Sequence, residues 1–293
     1  MTDDRTRLGQ SRVWWYIGAL LLVSWACEVF LLQKFGLENA KAKPLFAVLM
    51  LLPGLLAVAY LLITKEGLRT IDWGIKKPSY LLYAVIIPAA LALLSMLVIG
   101  VLRIGTSTHF AFTQEHVSIK RGMFLLGKGE QSLWFFALNY LVTALVFSVI
   151  NGIPAFGEEL GWRGFLQPRL VSRYGIVGGI VLLGLVWGFW HFPLILSGYN
   201  YPEHPVLGAL VLFPLTTVFS SFLLAWLTLS SRSMWPAVLA HGCVNTFYGQ
   251  VVSEMNFGAY RLTADVIILS IWFLTAVVSY MLLQKTRTHL TNR

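Results

Sequence analysis

The chain has 293 residues, of which 57% are hydrophobic and 12% carry a charged side chain. This composition excludes an ordinary soluble domain, in which about a quarter of the residues are charged. The formal net charge is +9. The lysines and arginines are nevertheless scattered between apolar runs, which argues against a nucleic-acid-binding protein and is typical of a membrane protein. Cys27 and Cys243 lie within apolar runs and predict neither a disulfide framework nor a cysteine zinc cluster.

Apolar runs recur along the whole chain, and each is long enough to cross a hydrocarbon core of roughly 30 Å, which takes about 20 helical residues. Because backbone groups in lipid must be hydrogen-bonded within their own segment, these runs predict helices, and the absence of short alternating segments argues against a barrel. The sequence predicts an all-α fold, a polytopic transmembrane helix bundle of about eight helices in a single domain covering residues 1–293. The predicted helices are Val13–Leu32, Leu45–Ile63, Tyr80–Leu102, Leu133–Phe156, Ile176–Leu196, Val206–Leu229, Trp235–Val252 and Val266–Leu283.

The N-terminal region carries Arg5, Arg7 and Arg12 before the first apolar run, Val13–Leu32. That run is too long for the core of a signal peptide and has no small-residue cleavage site, so we expect it to be retained. With eight spans, the positive-inside rule favours cytoplasmic N- and C-termini. We therefore expect an integral, multi-pass protein of a bacterial cytoplasmic membrane, since no organellar presequence is present.

The longest connection between predicted helices, residues 103–131, mixes charged and aromatic residues. Two interpretations are equally supported: the segment lies along the membrane interface, or it is a solvated connector. The histidines outside the predicted helices are expected to be solvated: His109, His116, His204 and His289.

Ionisable residues at membrane depth are costly and normally mark function. The fourth predicted helix runs straight into a segment with two glutamates and an arginine. On a helix, Glu159 and Arg163 are four residues apart and can pair, whereas Glu158 points about 100° away and is available for another partner. In the seventh, His241 and Asn245 share one face by the same spacing. The fifth predicted helix carries His191 directly after an aromatic run. Three helices thus bring acid, base and amide groups into the membrane.

The depth of these groups depends on where the fourth helix ends. The helical rise of 1.5 Å per residue gives His191 and Asn245 compatible depths but leaves Glu158 too shallow if the helix ends at Phe156. We therefore extend this helix to Asn139–Leu166, bent near Pro154, with residues 133–138 interfacial. The predicted site then lies in the cytoplasmic half of the bilayer.

Three motifs in this order resemble the CAAX-protease and bacteriocin-processing family of intramembrane endopeptidases, also called the Abi family, which includes the type II CAAX prenyl endopeptidases. The resemblance covers a core of about residues 139–252. It rests on three patterns, Glu-Glu-x-x-x-Arg, aromatic-x-x-x-His and His-x-x-x-Asn, of which the second has Trp where Phe is common. The matching residues are Glu158, Glu159 and Arg163, then Trp187 and His191, then His241 and Asn245.

The resemblance implies peptide hydrolysis within the membrane. Glu158, helped by His191, would position and deprotonate a water, because burial disfavours the ionised carboxylate and so makes it a better base near neutral pH. His241 and Asn245 would donate hydrogen bonds to the oxyanion, and the pair of Glu159 with Arg163 would brace the fourth helix. Substrates would be lipidated proteins that lose a C-terminal tripeptide, or bacterial peptides and membrane proteins. The expected partners are a peptide or lipidated protein substrate and the lipid bilayer, without nucleic acid.

Zinc is an open alternative for this site. Glu158, His191 and His241 can supply three ligands with an open position, but the HExxH spacing of soluble metalloproteases is absent, so a mechanism without a metal or cofactor is preferred. Two other functions also remain: a transporter or channel that uses the same charged residues along its path, and a catalytically silent membrane scaffold or regulator. For Glu28 in the first helix we expect a structural hydrogen bond. For Gly178, Gly179 and Gly184 we expect close helix packing.

Overall fold

The computed structural model describes the backbone of residues 2–291 and the side chains of residues 13–286, so the side chains of Arg5, Arg7, Arg12 and His289 lie outside the described residues. The described chain is largely helical, which confirms the all-α prediction. Within the described residues, six helical stretches are long and apolar enough to cross a membrane, and the protein is an integral, multi-pass membrane protein. The six stretches are Val13–Phe35, Ala42–Ile63, Ser79–Val101, Leu133–Trp190, Pro205–Ser231 and Gly258–Thr286.

The α-helices are α1 (Thr2–Phe35), α2 (Ala42–Leu49), α3 (Leu52–Ile63), α4 (Ser79–Val101), α5 (Leu133–Glu159), α6 (Gln167–Trp190), α7 (Phe192–Leu196), α8 (Pro205–Leu207), α9 (Phe213–Ser231), α10 (Trp235–Phe247) and α11 (Arg261–Thr291). π-helical turns occupy Leu160–Leu166, Gly208–Leu212 and Tyr248–Val252, and short 3-10 turns occupy Leu68–Thr70 and Gly258–Tyr260. The second predicted helix is interrupted between α2 and α3, where Pro53 lies in the first turn of α3, a position that tolerates proline's missing N–H.

The fourth and fifth predicted helices form one helical stretch. α5 continues through Pro154 to Glu159, and the π-helical turn Leu160–Leu166 then leads into α6. The stretch changes direction inside α6 at Gly175, whose backbone has φ 73° and ψ 175°, a conformation that glycine adopts at little cost because it has no Cβ. This continuity is one reason why six long spans are found where eight were predicted.

Residues 103–131 contain a small antiparallel sheet that the sequence prediction did not include. Its strands are β1 (Phe110–Phe112), β2 (His116–Ile119) and β3 (Gly129–Ser132), in the order β1-β2-β3. Phe110 pairs with Ile119, and Val117 pairs with Gln131. Because the four paired side chains are all buried, this segment is a folded part of the protein and not only a connector.

The expectation that His109 is solvated is wrong. Its side chain is buried at 4% exposure, and the ring lies over Gly122, where an added Cβ would be 2.4 Å from His109 Cδ2. A glycine with φ +96° at this turn therefore leaves room for the imidazole. His116 is exposed and His204 is half-buried.

The chain divides into two compact units, each described here by itself. Unit 1 comprises Met1–Lys76, Pro154–Met234 and Trp272–Arg293, and unit 2 comprises Lys77–Ile153 and Trp235–Ile271.

Unit 1 is held by close contacts between helices. In the packing of α6 on α9, a Cβ added to Gly184 would lie 2.4 Å from Val218 Cα, and Thr217 Oγ1 donates to Gly184 O at 2.9 Å. The π-helical turn approaches α3 as closely, since a Cβ on Gly161 would lie 2.5 Å from the Pro53 carbonyl carbon. The predicted packing role of Gly184 is confirmed. Gly179 packs on the chain before the Gly175 kink, and Gly178 would meet Tyr174 Cβ at 3.2 Å.

Unit 2 has a hydrophobic core between α4, the sheet, α5 and α10. Tyr140 donates its hydroxyl to Ala89 O at 2.9 Å and stacks on Phe247 with ring centroids 4.4 Å apart. α10 meets α5 at Gly242, where an added Cβ would lie 2.3 Å from Ser148 O. α10 is thus fixed against two helices of its own unit.

Candidate active site

Glu158 is the last residue but one of α5, and its side chain is buried in unit 1 with 1% exposure. Its Oε2 accepts two indole hydrogen bonds, from Trp162 Nε1 at 3.1 Å and from Trp187 Nε1 at 2.8 Å. Its Oε1 accepts no hydrogen bond from the residues that the structure describes. One oxygen is therefore fixed by two donors, and the other remains to bind a water or a substrate group.

The two indoles come from the segments that follow Glu158. Trp162 lies one turn further on, in the π-helical segment Leu160–Leu166, and Trp187 lies near the end of α6. The sequence analysis named Trp187 only as the aromatic residue of the aromatic-x-x-x-His pattern and missed Trp162. The spacing that indicated the Glu159–Arg163 pair applies equally to Glu158 and Trp162, and so could have found it.

Glu159 and Arg163 form the ion pair that their spacing predicts. Arg163 Nη1 lies 2.9 Å from Glu159 Oε1, and both side chains have no exposed surface. Arg163 Nη2 also donates to Ser221 Oγ of α9 at 3.1 Å, and the guanidinium lies 4.5 Å from the Trp187 ring centroid. The pair therefore connects α5, α6 and α9, and Ser221 is a partner that no sequence pattern indicated.

His191 follows the last residue of α6 in unit 1. Its Nδ1 lies 3.1 Å from Trp187 O. Because a carbonyl oxygen only accepts, Nδ1 carries the proton, and the neutral ring has its lone pair on Nε2. The ring also packs edge-on against Trp190 and Phe213, with centroids 4.6 and 4.9 Å away. Trp187 thus contacts both Glu158, through its indole, and His191, through its backbone.

His241 and Asn245 lie one turn apart on α10, in unit 2. His241 is buried at 5% exposure, whereas Asn245 is half-buried. The Asn245 amide makes no hydrogen bond to a residue that the structure describes. One residue further on, Thr246 Oγ1 accepts a hydrogen bond from Asn151 Nδ2 of α5 at 2.8 Å. α10 is thereby held in a fixed rotation in its unit, with an amide available as a donor.

Among the described side chains, neither unit contains a group of three or more histidine, cysteine, aspartate or glutamate residues that could hold a metal ion. The chemistry offered in unit 1 is a fixed carboxylate, an imidazole and an internally neutralised ion pair. In unit 2 it is an imidazole and an amide.

Comparison with known proteins places these residues in one matched segment. A family model described as Type II CAAX prenyl endopeptidase Rce1-like matches residues 129–247, which include all six predicted site residues. A protein named CAAX prenyl protease 2 from Methanococcus maripaludis is 32% identical over 98 residues, which are 32% of this chain and 36% of that protein. The chain therefore matches about a third of the length of this curated relative. The resemblance seen in the three motifs is confirmed, since residues 129–247 match the Rce1-like model of type II CAAX prenyl endopeptidases and a curated relative carries the name of a CAAX prenyl protease.

Proposed function

We propose that this protein is an intramembrane endopeptidase that hydrolyses a peptide bond with a water activated by Glu158. The observation that supports the proposal most directly is the asymmetry of the Glu158 carboxylate. Oε2 is held by two indole donors, while Oε1 has no partner among the described residues. A general base needs a fixed orientation and one oxygen within hydrogen-bonding reach of the water that it deprotonates.

In the proposed reaction, Glu158 takes a proton from the water as the oxygen attacks the scissile carbonyl carbon. His191 assists through Nε2, which accepts a hydrogen bond when Nδ1 carries the ring proton. His241 and Asn245 donate hydrogen bonds to the carbonyl oxygen as it becomes an oxyanion, a role worth about 3 to 4 kcal/mol for each donor. Glu158 then gives its proton to the leaving amine, and the C–N bond breaks to yield a carboxylic acid and an amine.

The Glu159–Arg163 pair has a positioning role in this proposal. Because Arg163 bonds to Glu159 and Ser221 and lies against Trp187, it fixes the end of α5 that carries Glu158. The buried guanidinium of Arg163 also supplies positive charge near the carboxylate of Glu158, and it cannot accept a proton from it.

The proposed substrate is a prenylated protein with a C-terminal CAAX sequence, which is cut after the lipidated cysteine to release a tripeptide. The name of the relative, CAAX prenyl protease 2, supports this substrate class over other peptides and membrane proteins. We further propose a bacterial cytoplasmic membrane, cytoplasmic N- and C-termini, and a site that opens to the cytoplasmic half of the bilayer. In that orientation the lipid of the substrate remains in the membrane and its peptide enters from the cytoplasm.

The test is cleavage of a quenched, prenylated CAAX peptide by the purified full-length protein in lipid. Glu158→Gln keeps the shape of the side chain but removes the base, so we expect cleavage to fall to background. Glu38→Gln is the control, because the Glu38 side chain is 90% exposed. Cleavage of the prenylated peptide but not of its unprenylated form supports the substrate class. A Glu158→Gln variant with wild-type activity contradicts the mechanism, and solute flux without cleavage indicates a transporter.

A second arm of the same assay tests the proposed absence of a metal. The wild-type protein is measured with and without a chelator, and we expect equal rates. Inhibition that added zinc reverses would overturn the metal-free mechanism and leave the protease assignment intact.

A further inference from the structure

Besides Glu158 and Glu159, unit 1 contains a third buried carboxyl group, that of Glu28, which has no role in the proposed reaction. It lies in the span Val13–Phe35 of α1 and has no exposed surface. Neither carboxylate oxygen has a hydrogen-bond partner among the described residues, and the nearby backbone N–H of Leu194 does not reach hydrogen-bond geometry. The structural hydrogen bond expected for Glu28 is therefore not formed.

The position of Glu28 is set by contacts on the same side of α1. Ser24, one turn earlier, accepts a hydrogen bond from Trp190 Nε1 at 2.6 Å, and Trp25 Nε1 donates to Phe189 O at 2.9 Å. Because residues three and four apart share a helix face, these bonds turn Glu28 toward the end of α6. There an ionised Glu28 would repel the carboxylate of Glu158.

The surrounding charges do not compensate an ionised Glu28. Arg163, which also interacts electrostatically with Glu158, is bonded to Glu159 and Ser221. With Glu158 and Glu159 ionised, this cluster already has one negative charge in excess. An ionised Glu28 would add a second, and a buried charge without a partner is very costly.

The other ionisable groups on the helices around α1 lie elsewhere. Tyr60 of α3 and Arg169 of α6 surround Tyr16, which is about 18 Å from Glu28 along α1 at the helical rise. Lys43 of α2 pairs with Glu38, beyond the end of α1. His191 follows Trp190, and Tyr199, in the connection after α7, interacts with Glu158. Glu158 is accordingly the group whose charge state is coupled to that of Glu28.

We propose that Glu28 is a positioning residue that holds a proton in the resting protein, so that the buried carboxyl pair carries its single negative charge on Glu158. The distribution follows from hydrogen bonding. Glu158 has two indole donors to stabilise an ionised carboxylate, whereas Glu28 has none among the described residues. The positioning role rests on the proposed function, because it is Glu158 that acts as the base.

Infrared spectroscopy of the full-length protein in lipid tests the proton assignment without an activity assay. At neutral pH we expect wild type to show the C=O stretch of a buried protonated carboxylic acid. Glu28→Gln should lose this band, and Glu158→Gln and the exposed control Glu38→Gln should keep it. A band that survives in Glu28→Gln, or that disappears in Glu158→Gln, overturns the proposal. If Glu28→Gln does not fold, the proton assignment is tested by whether wild type shows the band and Glu158→Gln keeps it.

Peptide cleavage then tests the positioning role. Glutamine imitates a protonated carboxyl group that cannot ionise, so the pH profiles of kcat for Glu28→Gln and wild type are compared. At alkaline pH, wild type should lose activity as Glu28 ionises, and Glu28→Gln should lose less. An identical pH profile for the two proteins indicates a merely structural residue and overturns the role. If the infrared result is as expected but wild type cleaves no peptide, the proposed function fails while the proton assignment is supported.

Discussion

Trp187 donates its indole N–H to Oε2 of Glu158 at 2.8 Å, and this bond fixes the carboxylate proposed as the base. Trp187→Phe removes the donor while keeping an aromatic ring. A hydrogen bond to a charged group contributes about 1.5 to 3 kcal/mol. We therefore expect kcat to fall by about 10- to 100-fold, with a smaller change in KM because Trp187 acts through Glu158.

The measurement is steady-state cleavage of the prenylated peptide by wild type and variant. Trp134→Phe is the control, since Trp134 is 88% exposed on α5 and its indole makes no hydrogen bond to the described residues. A Trp187→Phe variant as fast as wild type would mean that Trp162 alone orients the carboxylate.

The buried pair of Glu159 and Arg163 should matter more for folding than an exposed pair of the same spacing. Removing one member leaves the other buried and unpaired, which costs about 3 to 5 kcal/mol. We expect Arg163→Met to lower the thermal unfolding temperature strongly, and Glu159→Gln combined with Arg163→Met to restore part of it. The readout is thermal unfolding followed by tryptophan fluorescence in detergent.

Lys76→Gln is the matched control for this pair. Lys76 and Asp72 also have i,i+4 spacing, with a 2.7 Å contact, but their side chains are 51% and 62% exposed. Exposed pairs contribute about 0 to 1 kcal/mol. Equal losses of stability in Arg163→Met and Lys76→Gln would show that burial of the pair has no consequence.

The sequence predicted those features that depend on local spacing. The helical class follows from long apolar runs, and the Glu159–Arg163 pair follows from a separation of four residues, which brings side chains together on any helix. The extension of the fourth helix past Phe156 is also confirmed, because α5 runs to Glu159. Its predicted end at Leu166 is wrong, since the helical stretch continues into α6 and changes direction only at Gly175.

The features that the sequence did not predict depend on contacts between distant segments. Ser221 bonds to Arg163 across 58 positions of the chain, and no periodicity in the sequence indicates that contact. His109 was misjudged because its burial depends on Gly122, in a turn after β2. The three strands are short, and β3 consists of Gly129–Ser132, residues with little apolar alternation to indicate a strand.

Gly242 should be essential for placing the histidine and asparagine of α10. A Cβ at this position would lie 2.3 Å from Ser148 O and 2.6 Å from Gly152 N, and backbone atoms of α5 cannot move aside without shifting that helix. We expect Gly242→Ala to destabilise the protein by about 1 to 3 kcal/mol and to lower kcat, because His241 and Asn245 move with α10.

Gly249→Ala is the control for this substitution. Gly249 lies further along the same chain segment, and an added Cβ would meet nothing within 4 Å. The alanine should be neutral or slightly stabilising there, because it restricts the unfolded chain. Thermal unfolding and peptide cleavage are measured for both variants, and a Gly242→Ala protein that matches Gly249→Ala in both would contradict the packing argument.

His109 should make the stability of the protein depend on pH. Burial lowers the pKa of His109, and Arg121 lowers it further, while Glu254, whose Oε2 lies 3.5 Å from Nε2, acts in the opposite direction. The pKa is therefore lower in the folded than in the unfolded protein, where it is about 6.5. Between these two pKa values the unfolded chain binds more protons than the folded protein. The contribution of His109 to the free energy of unfolding is therefore fully present above about pH 6.5 and is lost as the pH drops through the folded pKa.

His109→Gln should show a smaller loss of thermal stability on acidification than wild type, and His116→Gln, at an exposed position of β2, should show the same loss as wild type. If His109→Gln and wild type lose stability in parallel, the titration of His109 is not coupled to folding.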